Sequence, residues 1–378
     1  MCQEIILNEN EVILFVEPKE RWIASICSEA VDRLVFWPKL SGAYSALYKD
    51  ALSQMTDNMD ILKCLGCDIH IRNKPLYLKE VRKNSGTEIK RTSHKEVITY
   101  ITKYGSARLI NAFDRASQSW HPVEMPIKNE EDIKIMTEWY ADCTLEIDQT
   151  LLGQAKKQAD EIGQKAMIST YVGKSPLMYY IEWLAGVENG HYFLVDNKNE
   201  IEELFNRMDK LLIRKTEILC DISPSDLLYF EEDTSTTLIS PEQFAAYCFK
   251  HINNYGRIMK EGGRLSYIHA CGHIKHLLPL ISKIPVNAIE AITSPPLGDT
   301  TLYDGRSKCP DKCLIGGTNA LLWLEYPKKI IEQIEKDLFS LPHHRGIIVS
   351  SAGVMPPACT PETIKKIFEW IKHFKIVL

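Results

Sequence analysis

From about residue 64 onward, short apolar runs alternate with longer amphipathic segments, the pattern that βα units impose on a chain. The runs are Cys67-Asp68-Ile69-His70, Ala166-Met167-Ile168-Ser169, Asp226-Leu227-Leu228-Tyr229-Phe230 and Leu265-Ser266-Tyr267-Ile268. They continue with Ala288-Ile289-Glu290-Ala291, Cys313-Leu314-Ile315-Gly316 and Gly346-Ile347-Ile348-Val349-Ser350. An eighth strand is expected within 90–200. The helices between them have legible starts. Ser240-Pro241-Glu242-Gln243 combines an N-cap serine, a proline at the first helical position and a capping-box glutamine. Thr360-Pro361-Glu362 opens the last helix, whose Ile364, Ile367, Phe368 and Ile371 form one apolar stripe for the core.

The first sixty residues read mainly as helix. A strand-like run, Val12-Ile13-Leu14-Phe15-Val16, precedes a helix over Pro18–Ile26, and a second helical stretch, Ala43–Tyr48, follows the turn at Pro38. We therefore divide the chain into a helical extension at 1–60 and a barrel domain at 61–378. Residues 80–129 break the βα rhythm. The β-prone, polar Thr87–Thr92 and the turn-rich Trp120-His121-Pro122 predict a hairpin-like excursion over one rim. Eight strands with interleaved helices over some 300 residues fit a (β/α)8 TIM barrel. A doubly wound open sheet is the alternative, but no glycine-rich phosphate loop follows any strand.

Composition narrows the function. A net charge of -5 and a pI near 6.2 leave no electrostatic footprint for nucleic acid. No apolar run approaches membrane-span length, and the acidic N-terminus lacks the basic region of a signal peptide, so we expect a cytoplasmic protein with no membrane partner. The 11 cysteines have no framework spacing, so we read them as free thiols, metal ligands or small buried hydrophobes. Cys27, Cys143, Cys220 and Cys248 fall in apolar or helical stretches and read as core.

In a parallel barrel, functional groups gather at the C-terminal ends of the strands. That rule selects His269 and Cys271, Glu290, the run Glu231-Glu232-Asp233, and Ser350-Ser351 with the loop through Cys359. His269 and Cys271 are two residues apart, so on an extended chain they point the same way. An imidazole and a thiol together favour zinc, and Glu290 from the next strand supplies a third ligand, with Cys359 available as a fourth. The competing reading is a buried histidine and a buried thiol. Other candidates are weaker. His273 and His276 belong to the start of the next helix, Cys309 and Cys313 have no second metal-binding pair, and Cys64-x-x-Cys67 ends a helix instead of opening one. His343-His344 reads as an exposed turn, and Tyr171, Tyr180 and Trp183 as core.

These residues also carry a resemblance. Asp233-Thr234-Ser235 through Pro241, His269-Ala270-Cys271-Gly272, Glu290 through Asp299, Gly316–Ala320 and Pro356–Glu362 are similar to the uroporphyrinogen decarboxylase superfamily over roughly 30–375. Within it, the chain resembles the cobamide-dependent methyltransferases more than the decarboxylases. The decarboxylases hold substrate carboxylates with an Arg-Gln-Ala-Gly-Arg segment, where this chain has Leu34-Val35-Phe36-Trp37-Pro38-Lys39-Leu40. The thiol-specific methyltransferases bind zinc through His-x-Cys and a later cysteine. His269 and Cys271 match, whereas Ser351-Ala352-Gly353 stands where the later cysteine falls, leaving Cys359 the nearest thiol. The resemblance implies a zinc-dependent methyltransferase working on a small thiol, ether or amine with a separate corrinoid protein. His269, Cys271, Glu290 and Cys359 would be its metal ligands, and Asp233 and Glu290 its catalytic carboxylates. The alternative is a metal-independent decarboxylase of a smaller acid that uses Asp233.

Overall fold

The computed structural model describes residues 4–6, 12–14, 16–40, 44, 47, 48, 58–115 and 119–378. Eight parallel strands form a nearly closed (β/α)8 barrel: β1 (Val35–Trp37), β2 (His70–Asn73), β3 (Met167–Gly173), β4 (Leu227–Glu231), β5 (Leu265–His269), β6 (Ala288–Thr293), β7 (Cys313–Thr318) and β8 (Ile347–Ser350). The ladder runs β1-β8-β7-β6-β5-β4-β3-β2. The remaining seam, between β2 and β1, is closed by one residue. Asp68 donates its N–H to the Phe36 carbonyl at 2.9 Å and accepts the Phe36 N–H on its carboxylate at 2.9 Å. The same carboxylate takes Arg33 at 2.7 Å and Arg21 at 3.3 Å, so its buried charge is paired.

Alternation decides which side chains fill the barrel. Val35 and Trp37 of β1, Leu227 and Tyr229 of β4, Cys313 and Ile315 of β7 and Ile348 of β8 share one interior cluster. Trp22 and Ile26 join it from the helix Pro18–Ile26 that precedes β1. The residues between these point outward into the larger cluster under the helices. That cluster takes Ile364, Ile367 and Ile371 from the last helix, and the capping box at Ser240 forms as its sequence requires.

The structure departs from the sequence reading in several places. The eighth strand is Val35–Trp37 and not a segment of 90–200, so the first barrel strand lies inside the stretch read as an N-terminal extension. The strand expected at 67–70 runs over His70–Asn73. The excursion is larger than a hairpin. Gly86–Arg91, Lys95–Thr102, Gly105–Asp114 and Ser119–Glu124 form a four-stranded antiparallel meander, with Trp120-His121-Pro122 inside its last strand. The meander packs on the helix Glu130–Ala141, where the Tyr100 and Trp139 rings meet edge to face at 4.9 Å. Cys27 is exposed, Cys143 and Cys220 are half-buried, and Cys248 is the one of those four cysteines sealed in the core. His344 is buried, not in an exposed turn, and accepts the Val377 N–H at 2.9 Å, which ties down the C-terminal tail. Val12–Leu14 is a strand, paired with Glu4–Ile6. Phe15 of that run, and Ala43, Ser45 and Ala46 of the second helical stretch, lie outside the described residues. Among the described residues no helix is long and apolar enough to cross a membrane.

Candidate functional site

The C-terminal ends of β4, β5 and β6 bring four predicted residues to one place. His269 is the last residue of β5 and stands in register with Glu290 on β6. The chain then turns at Gly272, whose φ of +77° strains any other residue and where an added Cβ would crowd the Ser235 hydroxyl at 3.0 Å, and this turn keeps Cys271 beside His269. Asp233 lies two residues past β4 with φ +45°, a left-handed backbone that a non-glycine residue adopts only when its surroundings enforce it. One enforcing contact is on the page: the neighbouring Glu232 donates its N–H to the His269 carbonyl at 3.0 Å. The Glu232 carboxyl is itself sealed, accepting Ser175 Oγ at 2.6 Å, and burial pushes it up to about 7.

The side chains converge. His269 Nε2 lies 3.0 Å from Asp233 Oδ1, and Cys271 Sγ lies 3.7 Å from the same oxygen. The ligand atoms of Asp233, His269 and Cys271 all fall within 4.8 Å of one another. Behind the imidazole, Nδ1 is hydrogen-bonded to Glu290 Oε2, and Glu290 Oε1 accepts Lys39 Nζ at 2.7 Å. Asp233 is held in turn, because its second oxygen accepts Lys174 Nζ, which also bonds Glu182. Burial alone would raise both acidic groups, but Lys39 and His269 hold Glu290, and His269 and Lys174 hold Asp233, far below the ordinary carboxylate range. Burial likewise works against a charged His269, yet Glu290 and Asp233 keep it protonated well above its usual range.

The donor set suits zinc. It offers one nitrogen, one sulfur and one oxygen, and a fourth position left open is the arrangement of a catalytic ion. The Nδ1–Glu290 bond points Nε2 at the cluster, the usual outer-shell support for a metal-binding histidine. The remaining predicted residues are placed differently. Glu290, expected as a ligand, backs His269 from behind, and Asp233, expected only as a catalytic carboxylate, stands in the ligand group. Cys359 is not in that group; it is packed in the apolar core, where burial pushes its thiol up to about 12. His273 and His276 also lie outside the cluster, and Cys309 and Cys313 are core residues. Of the three aromatics read as core, Tyr180 is fully buried and Trp183 packs against the core, but Tyr171 packs against the interior cluster, its ring tilted 54° to that of Tyr229 at 5.6 Å.

Sequence reasoning missed Lys39, Lys174 and Arg72. Lys39 and Lys174 each follow a strand end, the very rule that selected His269, but β1 had not been recognised and β3 had been ended too early. The Arg72 side chain on β2 lies 5.9 Å over the rings of both Trp37 and Tyr229 and 3.7 Å from Glu231. The side chains of Arg72, Glu182, Glu231 and Asp233 are each exposed by 31–33% in an otherwise sealed barrel, which marks an open, charged mouth.

The chain is similar over 94% of its length, and over 98% of the other chain, to the solved structure of a methyltransferase from Methanosarcina mazei, with 12% identity and a TM-score of 0.59. A D-psicose 3-epimerase structure is similar over 64% of this chain and 83% of its own, with 8% identity and a TM-score of 0.34. No curated protein matches the sequence. The uroporphyrinogen decarboxylase (URO-D) family model matches residues 146–374, more than half of the chain, and that stretch contains strands β3 to β8 with Asp233, His269, Cys271 and Glu290. With barrel, strand ends and sequence model in accord, the chain belongs to the uroporphyrinogen decarboxylase family.

Proposed function

We propose that this protein is a zinc-dependent methyltransferase that moves a methyl group between a small thiol, ether or amine and a corrinoid carried by a partner protein in the cytoplasm. The observation that carries this reading is the convergence of His269 Nε2, Cys271 Sγ and Asp233 Oδ1 within 4.8 Å, with Glu290 behind the histidine. A decarboxylase needs no such sulfur-containing donor set. The barrel shared with the Methanosarcina mazei methyltransferase is consistent with it.

Zinc at these residues would supply Lewis acidity, making a thiol more anionic or an ether or amine a better leaving group. The protein's own groups prepare the place. Glu290 accepts the Nδ1–H and so commits the Nε2 lone pair to the cluster, while Lys39 neutralises the buried carboxylate behind it. Lys174 holds one oxygen of Asp233 and leaves the other facing His269 and Cys271. Glu232 and Gly272 fix the two loops from which Asp233 and Cys271 project. The open mouth gives a substrate and a partner-bound corrinoid access to the same end of the barrel.

The test is metal analysis joined to a transfer assay. Purified protein should hold about one zinc per chain, and Cys271→Ala should lose both the metal and demethylation of added methylcobalamin by a thiol acceptor. Metal-free wild type that releases carbon dioxide from a small carboxylic acid, with Cys271→Ala equally active, would replace this reading with the decarboxylase.

A further inference from the structure

The helix Lys198–Ile222 covers β3 and turns a stripe of apolar residues inward, among them Ile201, Leu204, Phe205 and Met208. Continuing along that stripe, Met208, Leu211, Leu212 and Lys215 sit at i, i+3, i+4 and i+7, one face of the helix. Lys215 thus places an amine where the pattern calls for a hydrocarbon. These residues line a cavity of about 240 Å³ whose opposite walls are the aromatic rings of Tyr140, Tyr171 and Tyr179.

Among the described residues no side chain hydrogen-bonds that amine, although Glu80 stands near enough to favour its charge. Lys215 is half-buried, makes no ion pair with any described residue, and its Nζ lies 5.4 Å from the centre of the Tyr171 ring. Glu80 lines the same cavity, with its Oε2 bonded to Arg82 at 2.8 Å. Burial pushes the Lys215 amine down to about 8, and Glu80 opposes this only in part. At neutral pH the group is still mostly charged, and an unpaired charge drawn into apolar surroundings is costly unless something pairs with it. Tyrosine rings, aliphatic side chains and an amine without a bonded partner among the described residues define a ligand by chemistry.

We propose that this cavity is a binding site for a small aromatic carboxylate, its ring between the tyrosines and its carboxylate on Lys215. The cavity is separate from the metal-ligand cluster but adjoins it, because Lys174 lines the cavity wall and also holds Asp233. The proposal requires neither zinc nor methyl transfer.

Benzoate is the probe, with benzamide as its neutral twin, and both are titrated by calorimetry into the full chain after treatment with EDTA. Benzoate should bind at about 1 mM or tighter, and benzamide about tenfold more weakly or worse, the difference one charge-assisted contact makes. Lys215→Met keeps the stripe apolar and should fold, yet weaken benzoate about tenfold. Leu211→Trp fills the cavity from the helix side and should remove binding of both compounds. The proposal is overturned if wild type shows no benzoate binding at about 10 mM, if benzamide binds as well as benzoate, or if Lys215→Met binds benzoate like wild type. Because the protein is metal-free throughout, none of these outcomes depends on the zinc reading.

Discussion

His70 should make the barrel sensitive to mild acid. The side chain points into the barrel, 6% exposed, between Trp22 and Trp37 at ring distances of 4.9 and 4.5 Å and with Tyr267 at 5.9 Å. Its Nε2 meets Ser169 Oγ at 2.8 Å, and Nδ1 has no partner among the described residues. Burial, reinforced by Arg72, lowers the imidazole to about 3. In the unfolded chain it titrates near 6.5. Between those values the unfolded chain binds a proton that the folded protein refuses, so stability is complete above about pH 6.5 and falls as the pH drops toward 3. From pH 7 to pH 5 the loss from this one residue is about 2 kcal/mol, and any folded value below about 4 gives the same figure. The assay is urea unfolding of wild type and His70→Gln at both pH values, with the difference of differences isolating His70 from every other titrating group. A difference under about 0.5 kcal/mol would show that His70 is hydrated or protonated in the fold, and the argument from its surroundings would fail.

Three further substitutions probe the site and the seam. Glu290→Gln should lower zinc affinity by ten- to a hundredfold, because Nε2 loses its orientation, and should lower the melting temperature, because buried Lys39 loses its carboxylate; zinc titration against a chelating dye measures the first effect and calorimetry the second. Asp68→Ala should cost about 3–5 kcal/mol in urea unfolding, since it opens the β1–β2 seam and leaves two arginines without their shared buried partner; a cost near zero would mean the seam is held elsewhere. Cys359→Ala, by contrast, should leave zinc content unchanged while reducing stability by about 1–2 kcal/mol for a small core cavity; loss of zinc would return that thiol to the ligand set.

Much of this barrel can be read from sequence, and the failures have a common physical cause. Six strands announce themselves as mainly apolar runs covered on both faces, whereas β2 at His70–Asn73 is mixed and partly exposed. The eighth does not announce itself, since Val35–Trp37 is only three residues long and is cut off by Pro38. Its contribution to closure comes instead from Asp68, a polar residue no periodicity would select. The antiparallel meander was half-seen for a related reason: its edge strand Gly86–Arg91 is exposed or half-exposed along its whole length, so no buried face marks it against a loop.

The same omission propagated into the site. His269 and Cys271 were found by asking what lies at or just past a strand end, and that question has the same answer elsewhere around the mouth. Lys39 is two residues past β1, Lys174 one past β3, and Asp233 two past β4. Each is ordinary in sequence and acquires meaning only through a partner far along the chain: Lys39 through Glu290, Lys174 through Asp233, and Asp233 through His269. A residue's position relative to a strand end is a local property, and sequence reveals it once the strand is recognised. Whether a carboxylate there coordinates an ion or orients the group that does depends on the register between neighbouring strands. That register set Glu290 opposite His269, within reach of Nδ1, and left Nε2 to Asp233. The two acids thus stand at opposite nitrogens of one imidazole, a relation between three strands that no local pattern carries.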